Sequence, residues 1–325
     1  MHKVALIGAG RIGRIHARNA ALHPGLELAA VVDPVAASAQ ALAGEWGARV
    51  AALDEVMADA SIDGVVIASS TDTHLEYSVR SVQAGKAVFC EKPIDQDLQR
   101  ARAAAGALRD ARLLLAFNRR FDPNFQALKA RLDGGAIGTI ESLQITSNDP
   151  APPPPSYVAV SGGLFKDMAI HDFDMARWLL GEEIAEVWAV GSCLVDPEIG
   201  RLGDVDTART VLKTASGKLC VIANTRRSGY GYDQRIEAYA SAGMVRADNV
   251  LESTVQVFGE DGAGSDRLQN FFLDRYAEAY RREMEHFAAM LGGAPPLVGY
   301  ADGVAALALA EAATRSAKTG EVVVL

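Results

Sequence analysis

The stretch Val4-Ala-Leu-Ile-Gly8-Ala-Gly10-Arg-Ile-Gly13 decides how this chain is read. A short apolar run passes into Gly-x-Gly-x-x-Gly and then at once into a helical pattern over residues 11–22. Strand, tight glycine turn and helix in that order are what the phosphates of a dinucleotide require. Each glycine meets a separate demand: Gly8 allows the tight turn, Gly10 lets a pyrophosphate touch the backbone, and Gly13 lets helix pack on strand. N–H groups at the helix start hold the anion, so Gly8, Ala9, Gly10, Arg11, Ile12 and Gly13 form the candidate cofactor loop. Asp33, twenty residues beyond Gly13 and at the end of the second apolar run, is placed to accept hydrogen bonds from the adenosine ribose. A carboxylate there repels a 2′-phosphate and Pro34 offers no cation, which favours NAD over NADP.

The winding continues outward from that start. Apolar runs at 3–7, 26–32, 64–68, 87–89 and 113–117 read as strands of a parallel sheet covered on both faces. Helical spacing over 11–22, 35–46, 73–84 and 98–108 lies between them. The first 121 residues are therefore expected to be a doubly wound NAD-binding domain of Rossmann type. After Arg120 the pattern changes. A helical stretch at 125–132 ends at Gly134-Gly135, and longer strand-like runs follow at 140–147, 186–191, 207–214, 218–225, 235–240 and 254–258. Thr214-Ala-Ser-Gly217 and Ser241-Ala-Gly243 read as hairpin turns, so residues 122–325 are expected to be an α+β domain on one large, mostly antiparallel open sheet. Helical stretches at 271–291 and 301–316 and a short strand at 321–324 close the chain, with the final helix and strand as candidates to pack back on the first domain. Ala151-Pro-Pro-Pro-Pro155 reads as a stiff loop.

Composition limits what such a chain does. Its 325 residues allow about two domains, and 49% hydrophobic with 22% charged residues is globular composition. Mean hydropathy is +0.07 and the isoelectric point about 5.2. The net charge of −9 argues against phosphate-backbone binding to nucleic acid. The surplus lies in one part: 14 basic and 13 acidic residues stand up to Arg120, 18 and 28 after it. Cys90, Cys193 and Cys220 are odd in number and widely spaced, which suits a reduced, intracellular chain. With no signal-like start and no apolar run near the roughly 18 residues of a membrane span, a cytoplasmic protein is expected.

Three further segments carry candidate chemistry. Ser69-Ser-Thr-Asp-Thr-His74 follows the strand at 64–68, at the carboxyl edge where such sheets bind ligands. Ser69, Ser70, Thr71 and His74 are candidates to line the cofactor's path, and helix capping by Asp72 or Thr73 accounts for the segment equally well. Glu91-Lys92-Pro93 follows the next strand, and both Glu91 and Lys92 are cofactor candidates. Lys92 is one of only eight lysines, and at a sheet edge its ammonium can orient a substrate hydroxyl and stabilise a developing alkoxide. A salt bridge to Glu91 is the structural alternative. In the segment from Gly162 to Asp174, Asp167 and His171 are four apart and His171 and Asp174 three apart, so on a helix these three share a face while Asp172 turns away. A carboxylate one turn from an imidazole fixes its tautomer and makes it a proton acceptor near neutral pH. The same trio can hold a metal or simply pack.

These residues, with the longer stretches Phe117-Asn-Arg-Arg-Phe-Asp-Pro123, Asp149-Pro-Ala-Pro-Pro-Pro154, Ile170-His-Asp-Phe-Asp174, Tyr230-Gly-Tyr-Asp-Gln-Arg235 and Asn270-Phe-Phe-Leu-Asp-Arg-Tyr276, resemble the glucose-fructose oxidoreductase and inositol dehydrogenase (Gfo/Idh/MocA) family over essentially the whole chain. The likeness is greatest to its inositol 2-dehydrogenase branch. The resemblance implies a Rossmann domain, an open-sheet domain whose face makes oligomer contacts, usually in a homotetramer, and NAD-linked oxidation of a cyclic polyol, myo-inositol or another isomer, to the inosose. It implies Lys92, Asp167 and His171 as the catalytic group with no metal, a Lys92–Pro93 bond that is often cis, and Asn118, Asp149, Tyr230 and Tyr232 beside Lys92, Asp167 and His171 as polyol contacts. Asn148 stands where many inositol dehydrogenases carry arginine, which leaves the polyol open. An aldose, glucoside or sugar-acid dehydrogenase of the same fold, an NAD-retaining glycosidase and a non-catalytic NAD-sensing regulator are the rival readings.

Overall fold

The computed structural model describes residues 1–260 and 262–325. The opening strand β1 (His2–Ile7) runs into α1 (Arg11–Leu22) through the glycine turn, and the chain continues β2 (Leu26–Val32), α2 (Ala36–Trp46), β3 (Arg49–Val50), α3 (Leu53–Ala58), β4 (Gly64–Ile67), α4 (His74–Gln83), β5 (Ala87–Glu91), α5 (Leu98–Ala103), α6 (Ala105–Leu108) and β6 (Leu113–Ala116). The six strands form one sheet in the order β3-β2-β1-β4-β5-β6, every pair parallel. Val4 to Leu6, Val65 to Ile67 and Val88 to Cys90 are sealed from water, as a sheet covered on both faces requires. Because all strands run one way, the segments after β1, β2, β4, β5 and β6 gather at one carboxyl edge. These are the glycine turn, Asp33, Ser69 to His74, Glu91 to Pro93 and Asn118.

The glycine turn is fixed by close approach. A Cβ on Gly8, which has φ +104°, would stand 2.5 Å from the Ala68 carbonyl oxygen, and one on Gly13 would overlap the Gly8 carbonyl oxygen. A Cβ on Gly10 meets nothing within 4 Å.

The second part of the chain carries α7 (Pro123–Asp133), β7 (Ile140–Asn148), α8 (Pro155–Ser161), α9 (Leu164–Asp167), α10 (Ile170–Leu180), β8 (Ile184–Ser192), α11 (Pro197–Arg201), β9 (Thr207–Thr214), β10 (Leu219–Thr225), β11 (Asp233–Ala240), β12 (Gly243–Ala247), β13 (Gln256–Gly259), β14 (Gly262–Ser265) and α12 (Phe272–Arg275), with α13 (Ala277–Leu291), α14 (Tyr300–Thr319) and β15 (Val323–Val324) after them. The seven-stranded sheet has the order β12-β11-β7-β10-β9-β8-β15, and only the β7–β10 pair is parallel. Strand alternation splits its faces. Leu143, Ile145, Val187, Ala189, Leu212, Cys220, Ile222, Ile236 and Ala238 are buried, and Asn224 of β10 donates to Asp172 of α10 at 2.8 Å. On the opposite face Trp188, Val190, Leu219, Val221, Tyr239 and Met244 stand exposed.

The chain divides into two compact units, one of Met1–Phe121 with Glu278–Leu307 and one of Asp122–Ala277 with Ala308–Leu325. In the first, Phe287 of α13 lies edge-on to Phe89 of β5 at 5.8 Å, and Tyr280 lies edge-on to His16 at 5.9 Å. In the second, the Arg275–Asp122 ion pair, buried on both sides, ties the end of α12 to the N-cap of α7. Among the described residues no helix is long and apolar enough to cross a membrane.

Four local expectations are corrected. The strand expected at 254–258 belongs to a separate two-stranded hairpin, β13–β14, instead of the large sheet. The stretch 271–291 is broken at Tyr276 into α12 and α13. The stiff loop ends in a helix, α8, which starts with Pro155 in its first turn, where a missing N–H costs nothing, and stops at Gly162 with φ +85°. The segment carrying Asp167 and His171 is two helices, not one. The Ala169 N–H reaches back five residues to Leu164 O, a wide turn that interrupts the ladder at Met168. His171 and Asp174 remain three apart within α10, where Asp172 and Asp174 are both fully buried.

The close approach at Gly13 makes a prediction. Gly13→Ala should destabilise the protein by about 1–3 kcal/mol through overpacking, whereas Gly10→Ala should leave unliganded stability unchanged within error. Denaturant unfolding of the two variants checks this, and equal stability would contradict it.

Candidate active site

In the first unit the anion-binding end of α1 is bare. Gly10 is its N-cap with extended dihedrals and no side-chain cap, and its first turn holds no acidic residue. The helix dipole and N–H groups therefore face outward uncompensated, which suits an anion. Asp33 holds the turn: one carboxylate oxygen accepts the Ala9 N–H at 2.7 Å and the other the Val35 N–H at 2.8 Å. A carboxylate has about four lone-pair sites, so two remain for ribose hydroxyls. The open space over Gly10, the uncapped helix and the placed acid fit a dinucleotide. A 2′-phosphate finds only carboxylate and Pro34 there.

At the β4 edge the Ser69 and Thr73 hydroxyls hydrogen-bond at 2.6 Å, and Thr73 also donates to Ser70 O at 2.7 Å. Neither Asp72 nor Thr73 caps α4 with its side chain. Ser70 and Thr71 stand at the start of the short turn Thr71–Thr73. His74 is buried, with Nδ1 2.8 Å from Pro93 O and Nε2 3.2 Å from Ser69 O. It is a strut between the loop after β4 and the turn after β5.

The β5 edge carries Glu91 and Lys92, and the Lys92–Pro93 peptide is cis. The Glu91 carboxylate has partners on two sides. Its Oε1 is 2.7 Å from His16 Nε2 on α1, and its Oε2 accepts the Lys92 backbone N–H at 3.3 Å. The carboxylate thus links the cofactor helix to the turn that presents Lys92. Asn118, just past β6, is buried.

In the second unit Asp167 ends α9 with both oxygens engaged. Tyr157 of α8 donates to Oδ1 at 2.8 Å, and Arg226, just past β10, donates to Oδ2 at 3.3 Å. The Arg226 guanidinium is sealed from water and has Asp204 on its other side at 3.8 Å. Asp204 in turn accepts the Leu164 N–H, at 3.0 and 3.1 Å, which caps α9. Burial, then the Asp167 charge and the hydrogen bond to it, push the Tyr157 phenol up from its ordinary value, so it stays a donor. Asp167 is thereby held in place just before the wide turn that leads to half-buried His171.

Asp149 follows β7, its N–H bonded to Thr225 O at 2.9 Å, which sets it beside the strand end carrying Arg226. Tyr230 is exposed, but its hydroxyl donates to Asp233 at 2.6 Å. Asn148 is in register with Asp233 and also donates to it, at 3.4 Å. Burial raises the Asp233 carboxyl, and hydrogen bonds from Arg235, Tyr230 and Asn249 outweigh it and hold the group below its usual range. Tyr232 is buried edge-on to Tyr276 at 6.0 Å, which gives its ring a packing task. Among the described residues no group of three His, Cys, Asp or Glu is placed to hold a metal ion.

Tyr157, Arg226, Asp204 and His16 were not singled out in the sequence. His16 carried a signal: it is three residues past Gly13 and so on the same buried face of α1.

Comparison with known proteins agrees with this architecture. Residues 2–118 match an oxidoreductase family with an NAD-binding Rossmann fold, and residues 125–246 match the GFO/IDH/MocA C-terminal domain. An inositol 2-dehydrogenase of Rhizobium meliloti is 48% identical over 317 residues, which is 97% of this chain and 96% of that protein. The structure of a myo-inositol dehydrogenase from Corynebacterium glutamicum superposes with a TM-score of 0.96 at 44% identity, covering 100% of this chain and 99% of that one. That of a scyllo-inositol dehydrogenase from Lactobacillus casei with NAD(H) and scyllo-inositol bound superposes at 0.90 with 30% identity, covering 100% and 99%. With a bare anion-binding helix in one unit and a braced carboxylate before a histidine in the other, the chain belongs to the Gfo/Idh/MocA family of NAD-binding oxidoreductases.

Proposed function

We propose that the chain oxidises a ring hydroxyl of an inositol, myo-inositol or a stereoisomer, to the inosose, with NAD as electron acceptor. One observation carries the reading: Asp167, held by Tyr157 and Arg226, stands directly before His171 in a chain whose cofactor turn is intact. The full-length likeness to inositol dehydrogenases, one of them solved with NAD(H) and scyllo-inositol, supports the substrate class.

His171 accepts the hydroxyl proton as the C–O bond becomes a carbonyl. Asp167, braced by Tyr157 and Arg226, holds the imidazole in the accepting tautomer and binds a second hydroxyl. Lys92 steadies the negative charge that develops on the reacting oxygen. NAD held over Gly8 to Gly13 would supply the acceptor for the hydride that leaves the carbon. Asp33 selects NAD, and Gly8 to Gly13 with Ser69, Ser70 and Thr71 line the dinucleotide. Asn118, Asp149 and Tyr230 are the further polyol contacts, while His74, Glu91 and Tyr232 act from behind by holding loops. Residues 1–121 form the cofactor domain and 122–325 the substrate domain, with α13 and the start of α14 completing the first. A cytoplasmic homotetramer completes the reading, assembled through the sheet face that exposes Trp188, Val190, Val221 and Tyr239.

His171→Ala should lower kcat by roughly 10²- to 10⁴-fold, and Lys92→Ala should act in the same direction. NADH formation measured by absorbance checks both, and full activity in either variant removes that residue from its role. Across myo-, scyllo- and chiro-inositol, glucose and xylose, NADH should form fastest with an inositol. A preference for an aldose would defeat the substrate class. Gly10→Ala should weaken NAD binding about tenfold or more, and the parent chain should bind NAD more tightly than NADP. Calorimetric titration gives both values.

A further inference from the structure

Glu283 lies on α13 between Tyr280 and Phe287, on the face that packs against α1 and β5. It is fully buried, and neither carboxyl oxygen has a hydrogen-bond partner. His16, also fully buried, spends Nε2 on Glu91, and its Nδ1 has no partner. A carboxylate isolated from water and from hydrogen bonds is too costly to keep charged, so Glu283 carries its proton. Burial first, and then the charge of Glu91, raise its carboxyl well above the ordinary range.

The ionisable neighbours on the packed elements are few. From α1 only His16 faces inward, with Arg11, Arg14 and Arg18 exposed. From β5 come Glu91 and Cys90, and the Cys90 thiol, itself pushed up to about 12 by burial, interacts with Ser78 of α4. β4 carries none, and Tyr280 stands on the same helix as Glu283.

We propose that Glu283 is a positioning residue for Lys92, acting through Glu91 and His16. With Glu283 neutral, Glu91 holds the local negative charge and keeps both its bonds, to His16 on the cofactor helix and to the Lys92 N–H. Once Glu283 ionises, two carboxylates share one dry core, and their repulsion loosens the bonds that hold the Lys92 turn. The inference rests on Lys92 acting in the reaction proposed above.

The sign of the stability effect follows from linkage. The native state keeps a proton that the unfolded chain releases near the ordinary glutamate value, so Glu283 costs no stability below that value and a growing amount as pH rises toward its folded value. The test uses full-length parent and Glu283→Gln. Without ligands, the variant should match the parent in Tm near pH 4 and exceed it by about 3 °C or more near pH 8. With NAD and inositol, its kcat at pH 7 should lie within about twofold of the parent, with the KM for NAD unchanged and the alkaline fall of kcat displaced upward by about one pH unit. Coincident Tm curves would show that Glu283 is not held protonated, and coincident alkaline limbs would show that it does not position Lys92. Either result overturns the inference. An active Lys92→Ala defeats the proposed function instead, whereas an inactive Lys92→Ala with coincident Glu283→Gln curves defeats this inference alone.

Discussion

The contact between Gly13 and the Gly8 carbonyl oxygen seats α1 on the end of β1 with no room for a methyl group. That seating does two things at once. It aims the uncapped N-terminus of α1 at the place where a pyrophosphate must sit, and it carries His16 one turn down the same face to within 2.7 Å of Glu91. Asp33 reinforces the arrangement from β2 by bonding the Ala9 N–H. The cofactor turn and the turn that presents Lys92 are therefore not independent loops. They are joined through one helix, so an error in packing at Gly13 reaches the chemical end through His16 and Glu91.

Buried charge in the second unit follows one rule: a carboxylate withdrawn from water is given a cation or several N–H donors, because its desolvation is otherwise prohibitive. Asp122 has Arg275 and two N–H groups of α7, Asp167 has Arg226 and Tyr157, and Asp206 accepts the N–H groups of Leu194, Val195 and Asp196. Glu283 departs from the rule, and the departure sits against the one carboxylate that touches the Lys92 backbone. Natural chains tolerate such a cost where function gains from it.

What was legible in the sequence was local. The glycine turn, the β–α alternation and Asp33 at its distance are read from neighbours along the chain, because strand and helix periods and turn residues act over a few positions. The partners of the candidate groups were not legible. Arg226 reaches Asp167 across 59 residues and His16 reaches Glu91 across 75, and no period connects them. The spacing of Asp167, His171 and Asp174 misled for a related reason. It assumed an unbroken helix, whereas the five-residue reach of Ala169 leaves Asp167 at the end of α9 and puts His171 and Asp174 together on α10.

The same accounting of charge bears on the kind of substrate. A sugar acid needs a cation with hydrogen bonds to spare, and an arginine fork is the group best shaped to supply it. In the unit that carries Asp149 and Tyr230, two guanidiniums face carboxylates of the protein. Arg226 lies between Asp167 and Asp204, and Arg235 binds Asp233 through two nitrogens, at 2.7 and 3.0 Å. Asn148 presents an amide, and Asp233 draws its cation from Arg235 on its own strand. The hydroxyl, amide and carboxylate groups that remain around Asp149 and Tyr230 are suited to hydroxyls. The carboxylates of Asp149, Asp167 and Asp233 in this one unit weigh against an anionic ligand and suit a neutral polyhydroxy ring.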